Sequence, residues 1–528
     1  MADATLPQPK PTEAPKRPFV LMILDGYGVN PKPEANAVAL ARTPVLDELS
    51  AHNPSVLLDV SEVVGLPNSE EGHMNIGAGR VTHMVLGKVS KDIVDGTFFQ
   101  NPVLIEAVQH AKRNGTALHL MGLASDGGVH SEIEHLYALL ELAKRNGLEN
   151  VYVHPFLDGR DVPIISAKKY IQGLEAKMEE LGVGKIATIG GRFYGMDRDK
   201  RWDRVQKAYA AMVFGVGETA TSALGAIDAA YAKGETDEVM TPHVITDENG
   251  NPLTSIKSGD SVVFFNSRPD RARELTHAFT DAQFDSFERG VPPKVHFACM
   301  TQYDETLAMP YAYEPVTLSD TLVDVLTAAG KRVLKVAETE KFKHVTSFFN
   351  GGSETPAQGE DWFLVPSPKV STYDLKPSMS AYEVAQKVVD GVESGKYDVV
   401  IVNFANPDMV GHTANLRAVV EAVEAVDECV GIVRDAVKKA GGKMLIMADH
   451  GNSEMEVDYS TGEPYSPHTR NPIRALLVAD KPHATALREG EYGKRAGVAP
   501  TILSLEGIEP PPIMTGKILF KPKTVVKA

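Results

Sequence analysis

Short apolar runs recur along the chain, and each of them ends in a cluster of polar residues. PFVLMIL ends at Asp25, ALHLMGL continues into SDGGVH, and VVIVNFA is followed by Asp408. Uninterrupted runs of this length are typical of strands that are buried on both faces of a parallel sheet. Helical segments separate the runs, so the sequence predicts an α/β protein with mostly parallel sheets.

The polar ends of these runs carry two different chemistries. Ligands of open parallel sheets bind beyond the carboxyl ends of the strands, so these residues are the candidates for function. Carboxylates and histidines follow the first run and the runs after residue 400, whereas arginines concentrate between residues 160 and 271. This distribution predicts one domain built from both chain ends, 18–84 and 319–528, and a second domain inserted at 85–318.

The bulk composition narrows the functional class. The chain has 528 residues, more than one hydrophobic core usually supports, so two domains are expected. Its formal net charge of −16 argues against binding to nucleic acid or an anionic membrane, because those partners attract basic surfaces. A small anionic substrate remains compatible, since a local cluster of arginines can dominate the field in one cleft.

The cysteines and the first residues bear on the compartment. Cys299 and Cys429 are far apart in sequence, which favours a reducing cytoplasm over a disulfide framework. No apolar stretch approaches the length of a membrane span. Residues 1–17 contain four prolines and no apolar core, so we expect a disordered tail rather than a signal peptide.

A set of carboxylates and imidazoles at the strand ends predicts a metal centre. The candidate ligands are Asp25, Asp408, His412, Asp449, His450 and His468. Asp408 and His412 are four residues apart, which places both side chains on one face of a helical turn. Taken singly, these residues also fit a solvated helix face, a turn or a loop histidine. Their common placement at strand ends favours divalent ions such as Mn²⁺ or Zn²⁺.

The glycine-rich segment GLPNSEEGHMNIGAGR contains a candidate nucleophile, Ser69. An ordinary interpretation is helix capping by Asn68 or Ser69. The two interpretations are compatible, because backbone N–H groups at a helix N-terminus also suit a phosphate carried by Ser69. A serine hydroxyl needs an activating group, and no Gly-x-Ser-x-Gly elbow surrounds this one, so a divalent ion is the plausible activator.

Several motifs together resemble a known family. NSEEGHMNIGAGR, FLDGRD, GRFYGMDRDKRWDR, NSRPDRARE, ETEKFKHVT, PDMVGHT, ADHGN and HTRNP follow the order found in cofactor-independent phosphoglycerate mutases of the alkaline phosphatase superfamily. The resemblance implies a phosphatase-like domain and an inserted transferase domain. It implies interconversion of 3- and 2-phosphoglycerate, in glycolysis and gluconeogenesis, through a phosphoserine and without 2,3-bisphosphoglycerate. It also implies a monomer that binds two divalent cations. Mn²⁺ is the expected ion, and Zn²⁺ or Co²⁺ are the alternatives.

The resemblance also implies roles for individual residues. One cation site resembles the set Asp25, Ser69, Asp449 and His450, and the other resembles the set Asp408, His412 and His468. The substrate-binding set is His130, Arg160, Asp161, Arg192, Arg198, Arg268, Arg271 and Lys341. Among them, Asp161 is the candidate general base and Lys341 is the candidate donor to phosphoryl oxygens. The three-residue spacing of Arg268 and Arg271 also allows them to share one helix face.

Three positions depart from the family pattern, and other functions remain as alternatives. The family usually has valine at Glu71, often histidine at Glu132 and often glycine at Ala414. The alternatives on the same scaffold are a metal-dependent phosphatase, a sulfatase or a phosphopentomutase. An alternative of another class is a metal-binding protein without catalytic activity, which would predict the loss of Ser69 or of a ligand.

Overall fold

The structure is a computed structural model that describes residues 17–61, 67–479, 484–486 and 491–522. The predicted disordered tail therefore lies, except for Arg17, outside the described residues. The chain divides into two compact units. The first comprises the chain up to Thr82 and from Thr317 onward, and the second is His83–Val316. Both divisions fall two residues before the predicted boundaries.

The first unit begins with the strand that ends at Asp25. Its initial elements are β1 (Phe19–Leu24), α1 (Ala37–Leu40), α2 (Pro44–His52), β2 (Ser55–Asp59) and α3 (Ser69–Ala78). Asn68 caps α3, because its side chain accepts a hydrogen bond from the main-chain nitrogen of Glu71 at 2.8 Å. The capping prediction for this segment is therefore confirmed at Asn68.

The second unit alternates helices and strands. Its elements are α4 (Val85–Asp95), α5 (Pro102–Asn114), β3 (Leu118–Leu123), α6 (Ile133–Arg145), β4 (Val151–Leu157), α7 (Ala167–Leu181), β5 (Lys185–Ile186), β6 (Thr188–Gly191), α8 (Arg192–Gly195), α9 (Trp202–Phe214), β7 (Glu218–Ala220), α10 (Ala223–Ala232), β8 (His243–Ile245), β9 (Ser261–Phe264), α11 (Arg273–Thr280), β10 (His296–Thr301) and β11 (Tyr311–Tyr313). The strand order is β11-β10-β9-β3-β4-β6-β8-β7, with β5 beside β4. The strands from β11 to β6 run parallel, so the ends of β9, β3, β4 and β6 lie at one edge.

The first unit resumes after the insertion. Its remaining elements are α12 (Leu322–Ala328), β12 (Val333–Glu338), β13 (Glu360–Val365), α13 (Ala381–Glu393), β14 (Val399–Phe404), α14 (Asn406–Gly411), α15 (Leu416–Lys439), β15 (Lys443–Met447), β16 (Ile473–Ala479), β17 (Ala484–Ala486), β18 (Gly493–Lys494), α16 (Val498–Leu505) and β19 (Phe520–Pro522). Short helical turns lie at Thr339–Lys341 and His344–Phe348.

The main sheet of the first unit has the order β13-β12-β14-β1-β15-β16-β2-β18. The five strands from β13 to β15 are parallel, and β16 is antiparallel to both of its neighbours. Alternate residues of β1 enter two separate cores: Phe19 and Leu21 pack on one face, and Val20 and Met22 on the other. Burial on both faces explains the continuous apolar run, and the predicted fold class is confirmed.

Among the described residues, no helix is both long enough and apolar enough to cross a membrane.

Candidate functional site

The parallel strands of the first unit bring the predicted ligands to one edge of the sheet. Asp25 follows β1, Asp408 lies on the helix after β14, and Asp449 and His450 follow β15. Because β1 pairs with both β14 and β15 in parallel, these four residues converge although more than 380 positions separate the first from the others. All four are buried.

Asp408 forms the centre of one cluster. Its Oδ1 lies 3.1 Å from Nε2 of His468 and 3.4 Å from Nε2 of His412. The two Nε2 atoms are themselves 3.1 Å apart. His412 is the C-cap residue of α14, and its main-chain nitrogen donates to the carbonyl oxygen of Asp408, so the predicted helical turn does place it on the same face as Asp408. One carboxylate oxygen and two imidazole nitrogens therefore face a common point.

The ring orientation of the three histidines is fixed from outside the cluster. The Nδ1 atoms of His412, His468 and His450 lie 2.9, 2.7 and 3.3 Å from the carbonyl oxygens of Ser466, Pro67 and Gly451, respectively. A carbonyl oxygen can only accept, so each Nδ1 carries a proton and each Nε2 points inward. Metal-binding histidines are commonly oriented by a second hydrogen bond of this kind.

Ser69 lies at the meeting point of these groups. Its Oγ is 2.8 Å from Nε2 of His450 and 3.2 Å from Oδ1 of Asp25. Lys341, in the turn after β12, donates a hydrogen bond to the same Oγ at 2.8 Å. Burial lowers the pKa of His450 to about 3, so its Nε2 is an acceptor at neutral pH. The Ser69 hydroxyl therefore has two proton acceptors and one cationic donor within reach.

The charges of this region are unbalanced without a further cation. Asp25, Asp408 and Asp449 are buried together. Among the residues that the structure describes, the only ammonium that they share is that of Lys341. Burial, together with Asp449, raises the pKa of Asp25 to about 6. Burial would lower the pKa of Lys341, but Asp25 and Asp408 raise it. A divalent ion would offset the excess negative charge.

The donor atoms themselves fit divalent cations. Three groups could each hold an ion: Asp408 with His412 and His468, Asp25 with Asp408 and His450, and Asp25 with His73 and Asp449. Oδ1 of Asp408 and Oδ2 of Asp449 are buried and receive no hydrogen bond from the described residues. Mixed carboxylate and imidazole sets suit Mn²⁺, Zn²⁺ and Co²⁺ alike.

His73 belongs to this region but was missed by sequence reasoning. Its Nδ1 lies 2.8 Å from the carbonyl oxygen of Ser69 and 3.3 Å from Oδ2 of Asp449. Nδ2 of Asn403 donates to Oδ2 of Asp25 at 2.7 Å and lies 3.0 Å from Nε2 of His73. Because the amide nitrogen can only donate, Nε2 accepts and Nδ1 carries the proton. The one available signal was the four-residue spacing between Ser69 and His73.

The second unit gathers cationic side chains at the carboxyl edge of its sheet. Asp270 anchors two of them: Nη1 of Arg198 lies 2.8 Å from Oδ2, and Nε of Arg268 lies 3.3 Å from Oδ1. Nδ1 of His130 lies 3.6 Å from the same Oδ1, and burial holds the pKa of this histidine well below its usual value. Burial would raise the pKa of Asp270, but Arg268, His130 and Arg198 lower it to about 2. Sequence reasoning did not single out Asp270.

Arg192 forms the buried part of the same cluster. Its Nη1 donates to Oδ1 of Asp158 at 2.7 Å and also to Oδ2 of Asp161. The main-chain nitrogen of Asp161 donates to Asp158 at 2.9 Å, which fixes the position of the candidate base. The Arg192 side chain is 2% exposed, so removal of either carboxylate would leave a buried cation poorly compensated.

Arg271 and Arg160 complete the cationic cluster. Nη1 of Arg271 donates to the carbonyl oxygen of Met196 at 3.1 Å. Burial, together with Arg198, Arg192 and Arg160, lowers the pKa of Arg271 to about 10. Arg160 is exposed and lies 3.4 Å from Glu238. An anion would relieve the repulsion within this group, so the cluster suits a carboxylate or a phosphate.

One local prediction in this unit is wrong. Arg268 and Arg271 do not share a helix face, because α11 begins at Arg273 and both residues precede it. Pro269 accounts for the position of Arg268 outside a helix, since a proline disfavours the helical conformation of the residue before it. The two arginines still lie in the cationic cluster.

The three departures from the family pattern have distinct surroundings. Glu71 is buried, and Nδ2 of Asn68 lies 3.5 Å from its Oε2. Glu132 precedes α6, and burial, together with Asp126 and Glu134, raises its pKa to about 7. Ala414 has a φ of 50°, in the left-handed region that glycine adopts most readily.

The sheet of the first unit and its clustered carboxylates and imidazoles define an α/β enzyme of the alkaline phosphatase superfamily, which depends on divalent cations. Residues 303–485 match the family of type I phosphodiesterases and nucleotide pyrophosphatases. Residues 89–305 match the N-terminal region of the 2,3-bisphosphoglycerate-independent phosphoglycerate mutases.

Individual relatives specify the family further. The 2,3-bisphosphoglycerate-independent phosphoglycerate mutase of Clostridium perfringens is 53% identical over 96% of this chain and 99% of its own length. That of Lachnoclostridium phytofermentans is 54% identical over the same shares. The crystal structure of Leishmania mexicana phosphoglycerate mutase at low cobalt concentration matches with a TM-score of 0.80 and 32% identity, covering 97% of this chain and 98% of that one. The chain belongs to the family of 2,3-bisphosphoglycerate-independent phosphoglycerate mutases.

Proposed function

We propose that this chain interconverts 3-phosphoglycerate and 2-phosphoglycerate, with Ser69 as the transient phosphoryl acceptor. The observation that carries this proposal is the position of Ser69 Oγ, within 3.2 Å of Asp25, His450 and Lys341. A nucleophile needs a nearby acceptor for its proton and a cation for the charge that develops. All of these groups surround the same oxygen atom.

The carboxylate and imidazole clusters would hold two divalent cations. Asp25, Ser69, Asp449 and His450 would bind one ion, and the set of Asp408, His412 and His468 would bind the other. When bound, the ions would lower the pKa of the Ser69 hydroxyl and neutralise charge on the phosphoryl oxygens. We propose Mn²⁺ as the physiological ion, with Zn²⁺ and Co²⁺ as alternatives, because the mixed ligands suit all three.

The groups around Ser69 act on its proton and on the phosphoryl group. Because Nε2 of His450 would bind the cation, Asp25 Oδ1 is the group placed to take the hydroxyl proton. As the bond between Ser69 Oγ and phosphorus forms, the bond between phosphorus and the substrate oxygen breaks, and glycerate leaves with a proton on that oxygen. Lys341 remains protonated and donates hydrogen bonds to the transferred group.

The cationic cluster of the second unit would bind the glycerate part of the substrate. Arg160, Arg192, Arg198, Arg268, Arg271 and His130 are the proposed anion-binding residues. Asp161, held by Arg192, would accept the proton of the other glycerate hydroxyl. That oxygen then attacks the phosphoserine, a new ester bond forms, and Ser69 Oγ leaves and regains a proton. Retention of glycerate distinguishes this mutase reaction from hydrolysis.

Two further features are proposed from the family resemblance. We propose that the chain acts as a monomer and that it works in the cytoplasm, in glycolysis and gluconeogenesis. The two cysteines are buried and unpaired, which is compatible with a reducing compartment. Light scattering on the purified chain would test the first point, since a stable dimer would contradict it.

A coupled assay tests the proposed function. The metal-stripped chain is supplied with 3-phosphoglycerate and enolase in the absence of 2,3-bisphosphoglycerate, and Mn²⁺ is then added or withheld. Activity should appear with Mn²⁺ and disappear with a chelator. A requirement for 2,3-bisphosphoglycerate, or activity that ignores chelation, would contradict the mechanism. Release of inorganic phosphate in place of 2-phosphoglycerate would favour a phosphatase.

A further inference from the structure

Glu454 is a buried carboxylate to which the mechanism assigns no role. It lies four residues after His450, and its side chain is fully buried. Its Oε1 accepts hydrogen bonds from the hydroxyl of Thr469 and, at 2.9 Å, from Nδ2 of Asn471. Thr469 directly follows His468 in the chain. Glu454 therefore connects the loop that carries His450 with the loop that carries His468.

Two glycines enclose the same carboxyl group. A Cβ atom on Gly28 would lie 2.3 Å from Cδ of Glu454, and one on Gly451 would lie 2.4 Å from its Oε1. Gly451 also pairs with Thr469 in an antiparallel β-bridge. Nδ2 of Asn30 donates to the main-chain carbonyl oxygen of Glu454 at 3.1 Å. The loop after β1 is thus held against Glu454 as well.

Three loops that each supply a proposed cation ligand therefore meet at one side chain. The loop after β1 supplies Asp25, and the other two supply His450 and His468. The rings of His450 and His468 stack with centroids 3.8 Å apart, although the two residues belong to different proposed cation sites. The spacing of the two sites consequently depends on how these loops are joined.

We propose that Glu454 is a positioning residue that fixes the two cation sites relative to each other. This inference rests on the proposed function. Outer groups that orient metal ligands typically change metal affinity by about 10–100-fold when they are altered. Glu454→Gln keeps the size of the side chain but replaces its charge-assisted hydrogen bonds from Thr469 and Asn471 with weaker neutral ones. Thr469→Val keeps the charge and removes one of the two hydrogen bonds to it.

Glu456 provides a matched control in the same segment. Both of its carboxyl oxygens are buried and receive no hydrogen bond from the part of the chain that the structure describes. Burial, together with Glu454, raises the pKa of Glu456 to about 9, so this group is neutral at physiological pH. Glu456→Gln therefore alters an equally buried carboxyl without removing a charge or a bond between ligand loops.

Calorimetric titration of the metal-stripped full chain with Mn²⁺ tests the role of Glu454. The parent should bind two Mn²⁺ ions, and Glu454→Gln should bind at least one of them on the order of tenfold more weakly. Electron paramagnetic resonance should also show a changed coupling between the two Mn²⁺ ions. Glu456→Gln should match the parent in both measurements, and circular dichroism should confirm that each variant is folded.

The outcomes separate this inference from the proposed function. Failure of the parent to bind Mn²⁺ would contradict the metal centre itself. If the parent binds Mn²⁺ normally and Glu454→Gln has the same affinity and the same coupling as the parent, the role of Glu454 is overturned but the proposed function is not. If Glu454→Gln does not fold, Thr469→Val decides the question. Weaker Mn²⁺ binding by that variant supports the positioning role, and unchanged binding overturns it.

Discussion

The ammonium nitrogen of Lys341 lies 2.8 Å from Ser69 Oγ and donates a hydrogen bond to it. The same nitrogen donates to Oδ1 of Asp25 at 2.7 Å and to Oδ2 of Asp408 at 2.6 Å. One buried cation thus joins the proposed nucleophile to two carboxylates of the proposed cation sites. Lys341 therefore has an electrostatic role in the metal-free protein as well as a proposed role in phosphoryl transfer.

Replacement of Lys341 by methionine should destabilise the metal-free protein more than the metal-bound one. Removal of one partner from a buried charge pair typically costs roughly 3–5 kcal/mol. Added Mn²⁺ should recover part of this loss, because it supplies the missing positive charge. Calorimetric melting of the variant with chelator and with Mn²⁺ provides the comparison. Lys343→Met, at an exposed lysine two residues away, is the control, and equal losses in both variants would contradict the assignment.

Loss of the His73 nitrogens should slow catalysis without preventing substrate binding. His73→Phe keeps a ring but breaks the contacts to Ser69, Asp449 and Asn403. We expect kcat to fall roughly 10–100-fold, as for other groups that orient metal ligands, with little change in KM. The coupled assay measures both constants. The exposed His52 provides the control, as His52→Phe, and a parental kcat for His73→Phe would argue against its role.

Arg192 should not tolerate lysine. Nη1 of the guanidinium bonds to both Asp158 and Asp161. A lysine side chain is one atom shorter, so its ammonium cannot occupy the position of Nη1 and keep both bonds. Loss of one charge-assisted hydrogen bond corresponds to about 1.5–3 kcal/mol, so kcat/KM should fall on the order of 10–100-fold. Arg201→Lys, at an exposed position of the same unit, is the matched control. Similar small effects from both substitutions would contradict a specific function of Arg192.

Glu456 should make stability depend on pH. Its folded-state pKa of about 9 is raised by burial, whereas in the unfolded chain the group ionises above about pH 4. The unfolded state therefore loses a proton first, and stability falls as pH rises from about 4 to about 9. Glu456→Gln should remove this dependence. The substitution should therefore raise the free energy of unfolding more at pH 8 than at pH 5, by on the order of 2–4 kcal/mol. Denaturant unfolding at both pH values measures this difference. An equal effect of the substitution at pH 5 and pH 8 would show that Glu456 is already ionised in the folded protein.

The sequence predicted the framework of the fold because both faces of the central strands are buried. The run containing Phe19 and Val20 needed no partner to be recognised as a strand, since its continuous apolar character reflects the two cores that cover it. Once the strands were predicted to be parallel, Asp25, Asp408 and Asp449 could be expected at one edge of the sheet. The structure brings them together there.

Other features depend on contacts that no local pattern encodes. Asn403 contacts Asp25 across 378 positions, and Asp270 is recognisable only from the cations that surround it. The helical spacing of Arg268 and Arg271 was misleading, because Pro269 disfavours a helical conformation at Arg268 and α11 begins only at Arg273. Residues that orient the site were therefore harder to predict than residues expected to bind metal or substrate.

Phosphorylation of Ser69 during turnover is the most direct test of the proposed mechanism. The Mn²⁺-loaded protein, in excess over 3-phosphoglycerate, is quenched with acid within the first turnover, and its peptides are analysed by mass spectrometry. The proposed mechanism predicts a transient phosphoryl group on Ser69, and Ser69→Ala should show neither this group nor conversion to 2-phosphoglycerate. Parental turnover by Ser69→Ala, or a transient phosphoryl group on a histidine in its place, would contradict it.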